Sequence, residues 1–220
     1  MKSRLSLILS LLKRGVEPNA ILVRLGFRES LLGCESTLDI GCGSSGKLRE
    51  LGTVNTTGFE GYLPDFEEAK RQKTHDNFVQ GDARDLARHF QPRSFDACIA
   101  IDVIEHLTKE DGLKLMQDME RIARKRVVFF TPKGFLPQRR KASDDLQEHL
   151  SGWEPAEMKS HGYEVIGLLG PKSMRGEGHV LKRKPRFFWA IVSLIGQLAW
   201  TRRHPDGAAA ILCVKNLTGR

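Results

Sequence analysis

The sequence predicts an α/β fold on a doubly wound, seven-stranded sheet, and three observations carry that prediction. From residue 36 to about 130, short apolar stretches alternate with helical ones, the order of parallel βα units. One stretch, Thr37-Leu38-Asp39-Ile40, runs into Gly41-Cys42-Gly43-Ser44-Ser45-Gly46, with a helix opening at Lys47. Strand, glycine turn and helix in that order bring a backbone close to a nucleotide-like ligand. The 220 residues are 40% hydrophobic and 28% charged, globular values that suffice for one domain with a real core.

Taken in order, residues 1–35 read as two helical pieces, an N-terminal cap placed over the ligand cleft. The opening Met1-Lys2-Ser3-Arg4 and Leu5–Leu12 imitates a secretion signal, but the run ends in Lys13-Arg14 with no small-residue cleavage site. Residues 36–170 form the ligand-binding core. After the first strand, Gly41 and Gly43 suit a tight turn because they lack a Cβ and reach positive φ. Lys47–Leu51 opens a helix. Thr57–Glu60 is the second strand, Phe78–Gln80 leads the third into Gly81-Asp82-Ala83, and Phe95–Ile101 is the fourth. Near 109–123, Leu113, Met116, Met119 and Ile122 recur at helical spacing and are core contacts. Val127–Pro132 is the fifth strand. Residues 131–150 form a long polar connection at the carboxyl edge of that strand, where open α/β sheets bind ligands. Trp153-Glu154-Pro155 begins another helix, and Gly162–Gly167 is the sixth strand.

Residues 171–207 form a basic and apolar insertion. Within it, Phe187–Trp200 is shorter than the ~20 residues a bilayer crossing needs. It reads as a core-packed helix joining strands six and seven. Its terminal aromatic residues, with Lys and Arg outside them, also suit a helix lying in a membrane interface. Ala208–Val214 is the seventh strand, and the chain runs on to residue 220 as a tail.

Asp39 narrows the ligand. An anionic side chain beside the turn repels a pyrophosphate and suits a ligand with a cationic amino-acid end, such as S-adenosylmethionine (SAM). Four segments in sequence then carry a family resemblance: Asp39-Ile40-Gly41-Cys42-Gly43, Thr57-Gly58-Phe59-Glu60, Phe78-Val79-Gln80-Gly81-Asp82-Ala83, and Phe95–Ile101 followed by Asp102-Val103-Ile104-Glu105-His106-Leu107. Together they resemble the class I SAM-dependent methyltransferases, over roughly residues 36–170 and the last strand. The resemblance implies a Rossmann-like sheet whose last strand runs antiparallel between strands five and six. It implies SAM as cofactor, with the glycine turn on the methionine part, Glu60 on the ribose and Asp82 at the adenine. The cofactor candidates are Asp39, Gly41, Cys42, Gly43, Glu60, Asp82, Ala83 and Asp102. It says little about the acceptor, because function sits in sites grafted onto a fold.

Methyl transfer from a sulfonium needs orientation, and an oxygen acceptor of high pKa also needs a base. His106, after the fourth strand, and His149, ending the long connection, are the candidate catalytic bases. The blander role for His106 is structural, bordering the cofactor beside Glu105. Asp102, Glu105, His106 and His149 could instead bind a divalent metal, as in some methyltransferases with an E-x-x-E-H segment. This chain has Asp102 for the first Glu, and such ligand types are common, so no metal is assigned from sequence. Gln138, Arg139, Arg140 and Lys141 could contact an anionic acceptor, although exposed cationic runs usually do nothing specific.

The net charge is +8, concentrated at Arg139–Lys141, Lys182–Arg186 and Arg202–His204. Aromatic residues do not alternate with these clusters as on a single-strand stacking platform, which argues against nucleic acid. The base-amino methylase motif is missing too: Phe130-Thr131-Pro132-Lys133 stands in its place. Four scattered cysteines, Cys34, Cys42, Cys98 and Cys213, fit a reduced cytoplasmic chain with no zinc pattern. The expectation is a SAM-dependent methyltransferase of a small molecule or a glycan or lipid precursor, acting on oxygen. The alternatives are an RNA, DNA or protein methyltransferase, or a non-catalytic SAM-binding protein held at a membrane through residues 187–200. A nicotinamide oxidoreductase would use Glu60 equally well but leaves Asp39 and Asp82 unexplained.

Overall fold

In the computed structural model, residues 4–138 and 147–217 are described. Seven strands form one sheet: β1 (Thr37–Ile40), β2 (Thr56–Glu60), β3 (Asn77–Gln80), β4 (Phe95–Ile101), β5 (Ala123–Pro132), β6 (Glu164–Pro171) and β7 (Ala208–Asn216). Their spatial order is β3-β2-β1-β4-β5-β7-β6, with β7 antiparallel to both neighbours and the rest of the ladder parallel. This is the predicted sheet. β5, β6 and β7 run further than their apolar stretches suggested, because Arg124, Lys125 and Arg126 extend β5 with their side chains drawn off to Asp96, Gly33 and Ser30.

β1 lies between β2 and β4, and all four of its residues are buried. On one face, Leu38 and Ile40 join Leu115, Met116, Met119 and Ile122 of a helix (Lys109–Ile122, called α6 below). Thr108 caps that helix by accepting from Asp111 N at 3.2 Å, and two acids in its first turn complement the helix dipole. The preceding helices are α1 (Arg4–Lys13), α2 (Pro18–Ser30), α3 (Lys47–Leu51), α4 (Leu63–Gln72) and α5 (Leu86–His89). α1 and α2 pack on the other face of the sheet, Leu11 and Phe27 joining Phe130, Leu168 and Leu212. They were expected over the cleft. Their apolar stripes instead follow the larger apolar surface near β5–β7.

α7 (Pro155–Ser160) leads into β6. α8 (Arg186–Gly196) follows, extended by a wider π turn over Gln197–Thr201. Here the expected core packing is reversed. Ala190, Ser193, Gln197 and Thr201 are buried, whereas Phe187, Phe188, Ile191, Ile195, Leu198 and Trp200 are exposed. The backbone of β6 comes too close for large side chains. A Cβ on Gly167 would overlap the Thr201 carbonyl, and one on Gly170 would overlap Ser193 Oγ. Asn19 Nδ2 donates to Gln197 Oε1 at 2.8 Å and Ser193 Oγ to the Leu169 carbonyl at 3.3 Å, which fixes the rotation of the helix.

Gly167→Ala forces two backbones apart, so we expect it to cost about 1–3 kcal/mol, the usual overpacking range. Urea unfolding reads this as a lower midpoint with an unchanged slope.

Candidate active site

The loops after β1, β2, β3 and β4 open into one cleft at the carboxyl edge of the sheet, a space of about 1120 Å³ counted out to solvent. Strand order reverses between β1 and β4, so this is the switch point where such sheets bind ligands. Gly41, Gly43, Glu60, Asp82, Ala83, Asp102 and His106 all line it.

The glycine turn is built by backbone geometry. Gly41 and Gly43 have φ of 63° and 54°. A Cβ on Gly41 would meet Val103 Cγ2 at 2.5 Å, whereas Gly43 faces open space. Gly41 N and Cys42 N both donate to the Phe59 carbonyl, at 2.7 and 3.2 Å. Glu60 buckles the turn to β2, its two oxygens accepting from Gly43 N at 2.9 Å and Tyr62 N at 2.8 Å. Burial raises the Glu60 pKa, opposed by those amide donors. Asp82 accepts from Arg84 N and Nε at 2.9 Å, and the guanidinium holds its carboxyl below the usual range. Asp102 adopts φ 56° at the end of β4, with Lys47 Nζ 3.6 Å from its carboxylate.

Two of the eight cofactor candidates lie beneath the cleft rather than in it. Asp39 is 3% exposed, and its Oδ2 sits 3.1 Å from His75 Nε2. His75 Nδ1 lies 3.0 Å from Thr74 Oγ1. Asp39 thus supports the turn from below. Cys42 is buried as well, and burial pushes its thiol pKa up. His75 was missed in sequence because Thr74-His75-Asp76 has no periodic pattern and its partner lies in another strand.

Beside the cofactor cleft, Glu105, His106 and His149 come together, one ligand-type atom of each within 4.8 Å of the others. Glu105 and His106 sit in a short turn after β4. His149 arrives from the far end of the long connection. His106 Nδ1 donates to the Glu148 carbonyl at 3.0 Å and His149 Nδ1 to the Leu136 carbonyl at 2.6 Å. Because a carbonyl only accepts, both neutral rings carry the lone pair on Nε2. The ring centroids are 4.7 Å apart, edge to face. Glu105 is 2% exposed: Thr131 Oγ1 donates to its Oε2 at 2.9 Å, and Oε1 has no hydrogen-bond partner among the described residues. Burial, then the charge of Asp102, pushes the Glu105 pKa well above the usual carboxylate range. Thr131, in the Phe-Thr-Pro stretch, was not identified as its partner from sequence. Gln138 Nε2 donates to the Gln147 carbonyl at 3.0 Å, while Arg139, Arg140 and Lys141, the other anion candidates, lie outside the described residues.

Sheet order, glycine turn and the acids after β2 and β3 are those of a class I SAM-dependent methyltransferase, and the family model described as "Methyltransferase domain" matches residues 38–131. Residues 38–131 thus match a methyltransferase domain, and the sheet around them has the fold of SAM-dependent methyltransferases. Among curated proteins it is similar to "Small RNA 2'-O-methyltransferase" of Tetrahymena thermophila, 23% identical over 184 residues. That match takes in 68% of this chain and only 44% of the relative. Among solved structures, the methyltransferase domain of bacterial CtHen1-CN superposes with a TM-score of 0.53 at 17% identity, covering 91% of this chain and 98% of that one. A SAM-dependent methyltransferase from Archaeoglobus fulgidus gives 0.53 at 18%, covering 89% and 93%. At these identities the structures show a shared fold.

Two outcomes follow from this geometry. Glu60→Ala removes the charge-assisted bond to Gly43 N of the turn and the one to Tyr62 N after β2, so SAM affinity by calorimetry should fall about 10–100-fold, the equivalent of 1.5–3 kcal/mol. Glu105 has a folded pKa above its unfolded value, so its contribution to stability is greatest at low pH. That contribution is lost as pH rises from the unfolded value, about 4.3, through the raised folded one. Glu105→Gln should therefore raise Tm at neutral pH, and the gain should shrink in acid, read by thermal melts across pH.

Proposed function

We propose that this methyltransferase acts on a sugar hydroxyl and that Glu105, His106 and His149 hold a divalent cation at which the acceptor is positioned. One observation carries the reading: Glu105, whose buried Oε1 has no hydrogen-bond partner among the described residues, converges with His106 and His149, one ligand-type atom of each within 4.8 Å of the others. A buried carboxylate left half satisfied is costly, and a cation is the partner that would relieve it. The mixed imidazole and carboxylate set suits a first-row divalent ion such as Mn²⁺. When bound, such an ion would lower the pKa of an acceptor hydroxyl.

The residues of the chain do the positioning. The carbonyls of Glu148 and Leu136 fix the two ring tautomers, the outer contacts that orient metal-binding histidines. Thr131 fixes the Glu105 carboxylate. Glu60 and Asp82 take the cofactor on the far side of the cleft, and Asp102 lies between cofactor and acceptor. In this reading His106 and His149 are ligands rather than free bases.

The acceptor we favour is a ribose 2'-hydroxyl of RNA. The name of the curated relative and the +8 charge support it, and it moves the RNA alternative from the sequence ahead of the small-molecule acceptor. A glycan hydroxyl on a lipid carrier is the second reading, favoured by the exposed apolar face of α8.

Calorimetry with Mn²⁺ alone tests the site. The wild type should bind, and Glu105→Gln and His149→Ala should each weaken binding at least about tenfold while keeping SAM affinity. Binding should also weaken as pH falls, because all three ligands must be deprotonated. Mn²⁺ affinity indifferent to both substitutions would sink the metal reading. Labelled-methyl transfer to RNA, but not to DNA of the same sequence, would identify the acceptor, and transfer only to glycans would shift it to the second reading.

A further inference from the structure

α8 is amphipathic in the wrong sense for a helix on a water-soluble surface. Residues 190, 193, 197 and 201, spaced three or four apart, are Ala, Ser, Gln and Thr, and they are buried. Residues 187, 191, 195 and 198, with the same spacing, are Phe, Ile, Ile and Leu, and they are exposed. Both series follow the helical repeat, so each marks one face. Phe187 is 77% exposed and Ile195 60%. Isolated exposed apolar residues need no explanation, whereas a continuous stripe marks an interaction surface. The rotation cannot reverse, because the bonds to Asn19 and Leu169 and the bare glycines of β6 accept only small inward side chains.

Charge identifies what covers the stripe. Between Glu177 and Asp206 there is no acidic residue, and the cations are Lys182, Arg183, Lys184 and Arg186 before the stripe and Arg202 and Arg203 after it. All six are exposed. Trp189 lies under Arg183, 4.7 Å from guanidinium to ring, and Trp200 stacks on His204 at 4.0 Å. Aromatic residues near both ends, aliphatic residues between and cations outside are what an interfacial helix presents to anionic headgroups. A second copy of this chain fits badly, because two-fold pairing would set cationic ends against cationic ends. RNA fits badly too, because Ile191, Ile195 and Leu198 offer no ring to stack a base on. No helix among the described residues is long and apolar enough to cross a membrane, so the contact lies in the plane of the surface.

We propose that α8 docks the enzyme on an anionic lipid bilayer, its Phe187–Leu198 stripe sunk into the interface and the flanking Lys and Arg on the headgroups. The proposal stands apart from the metal reading.

Flotation of the full chain with phospholipid vesicles tests it. Binding to vesicles of equal parts phosphatidylcholine and phosphatidylglycerol is expected, at least about tenfold tighter than to phosphatidylcholine alone and weakened by salt. The tryptophan emission should shift to the blue, because Trp189 and Trp200 flank the stripe while Trp153 is already buried. The Phe187→Ser, Ile195→Ser double variant alters exposed positions, so it should keep SAM affinity and lose flotation. Arg202→Glu with Arg203→Glu should lose the preference for anionic vesicles. Three results overturn the proposal: no flotation of the wild type, flotation retained by the Ser variant, or a wild-type dimer that the Ser variant makes monomeric with neither protein on vesicles.

Discussion

Two consecutive backbone carbonyls, those of Ile104 and Glu105, hold the acceptor side of the site together. The Glu105 carbonyl accepts from Leu150 N at 2.8 Å and Ser151 N at 3.0 Å. The Ile104 carbonyl accepts from Ser151 Oγ at 3.2 Å and Trp153 Nε1 at 3.3 Å. Each such bond contributes only about 1 kcal/mol net, but leaving a buried donor unmade costs about 1–3 kcal/mol. The four donors therefore have to find this turn, and in doing so they bring His149 to His106. Trp153 locks the arrangement from behind. It is fully buried, its carbonyl accepts from Gly134 N at 2.8 Å, and Lys109 Nζ lies 3.6 Å over its ring. Gly112 has to be glycine there, since a Cβ would reach Trp153 Cζ2 at 2.5 Å.

Three buried carboxylates surround the cleft, and each meets the cost of burial differently. Asp39 is paired with His75 inside the fold, so it works as a strut. Glu60 is met by two backbone amides, and an acceptor with remaining lone pairs still faces the cleft. Glu105 is met on one oxygen only. Burial raises the pKa of both Glu60 and Glu105, but only at Glu105 does a neighbouring oxygen stand without a donor. The proposed cation would supply the partner that Glu105 lacks, whereas Asp39 is already paired.

The lining of the cleft was legible because its information is local. A strand, a glycine turn and an acid at the end of the next strand all occur within short windows, and Gly41, Gly43, Glu60, Asp82, Ala83 and Asp102 line the cleft as their positions suggested. Asp39 lies beneath the turn, and no local pattern reports that His75 is its partner there. The acceptor half depends on the contact between residues 104–106 and 149–153, which sequence spacing does not encode. His106 and His149 were each identified, but what they do together follows only from their convergence with Glu105. α8 was read as a core helix because its apolar content was counted. Its inward face is set by the glycines of β6, more than fifteen residues earlier in the chain.

The stripe on α8 and the half-satisfied Glu105 obey one logic. Folding selects against exposed apolar surface and against buried unpaired charge, since either costs about a kcal/mol or more where total stability is only about 5–15 kcal/mol. Both proposals start from such a feature, held in place by its neighbours. At Glu105 the lock is Thr131 and the Ile104–Glu105 turn. At α8 it is Asn19, Leu169 and two glycines. Neither feature can relax by a change of rotamer, because the neighbouring contacts define a single orientation. Local sequence rules fail at both places, as is expected where function and not folding sets the residue.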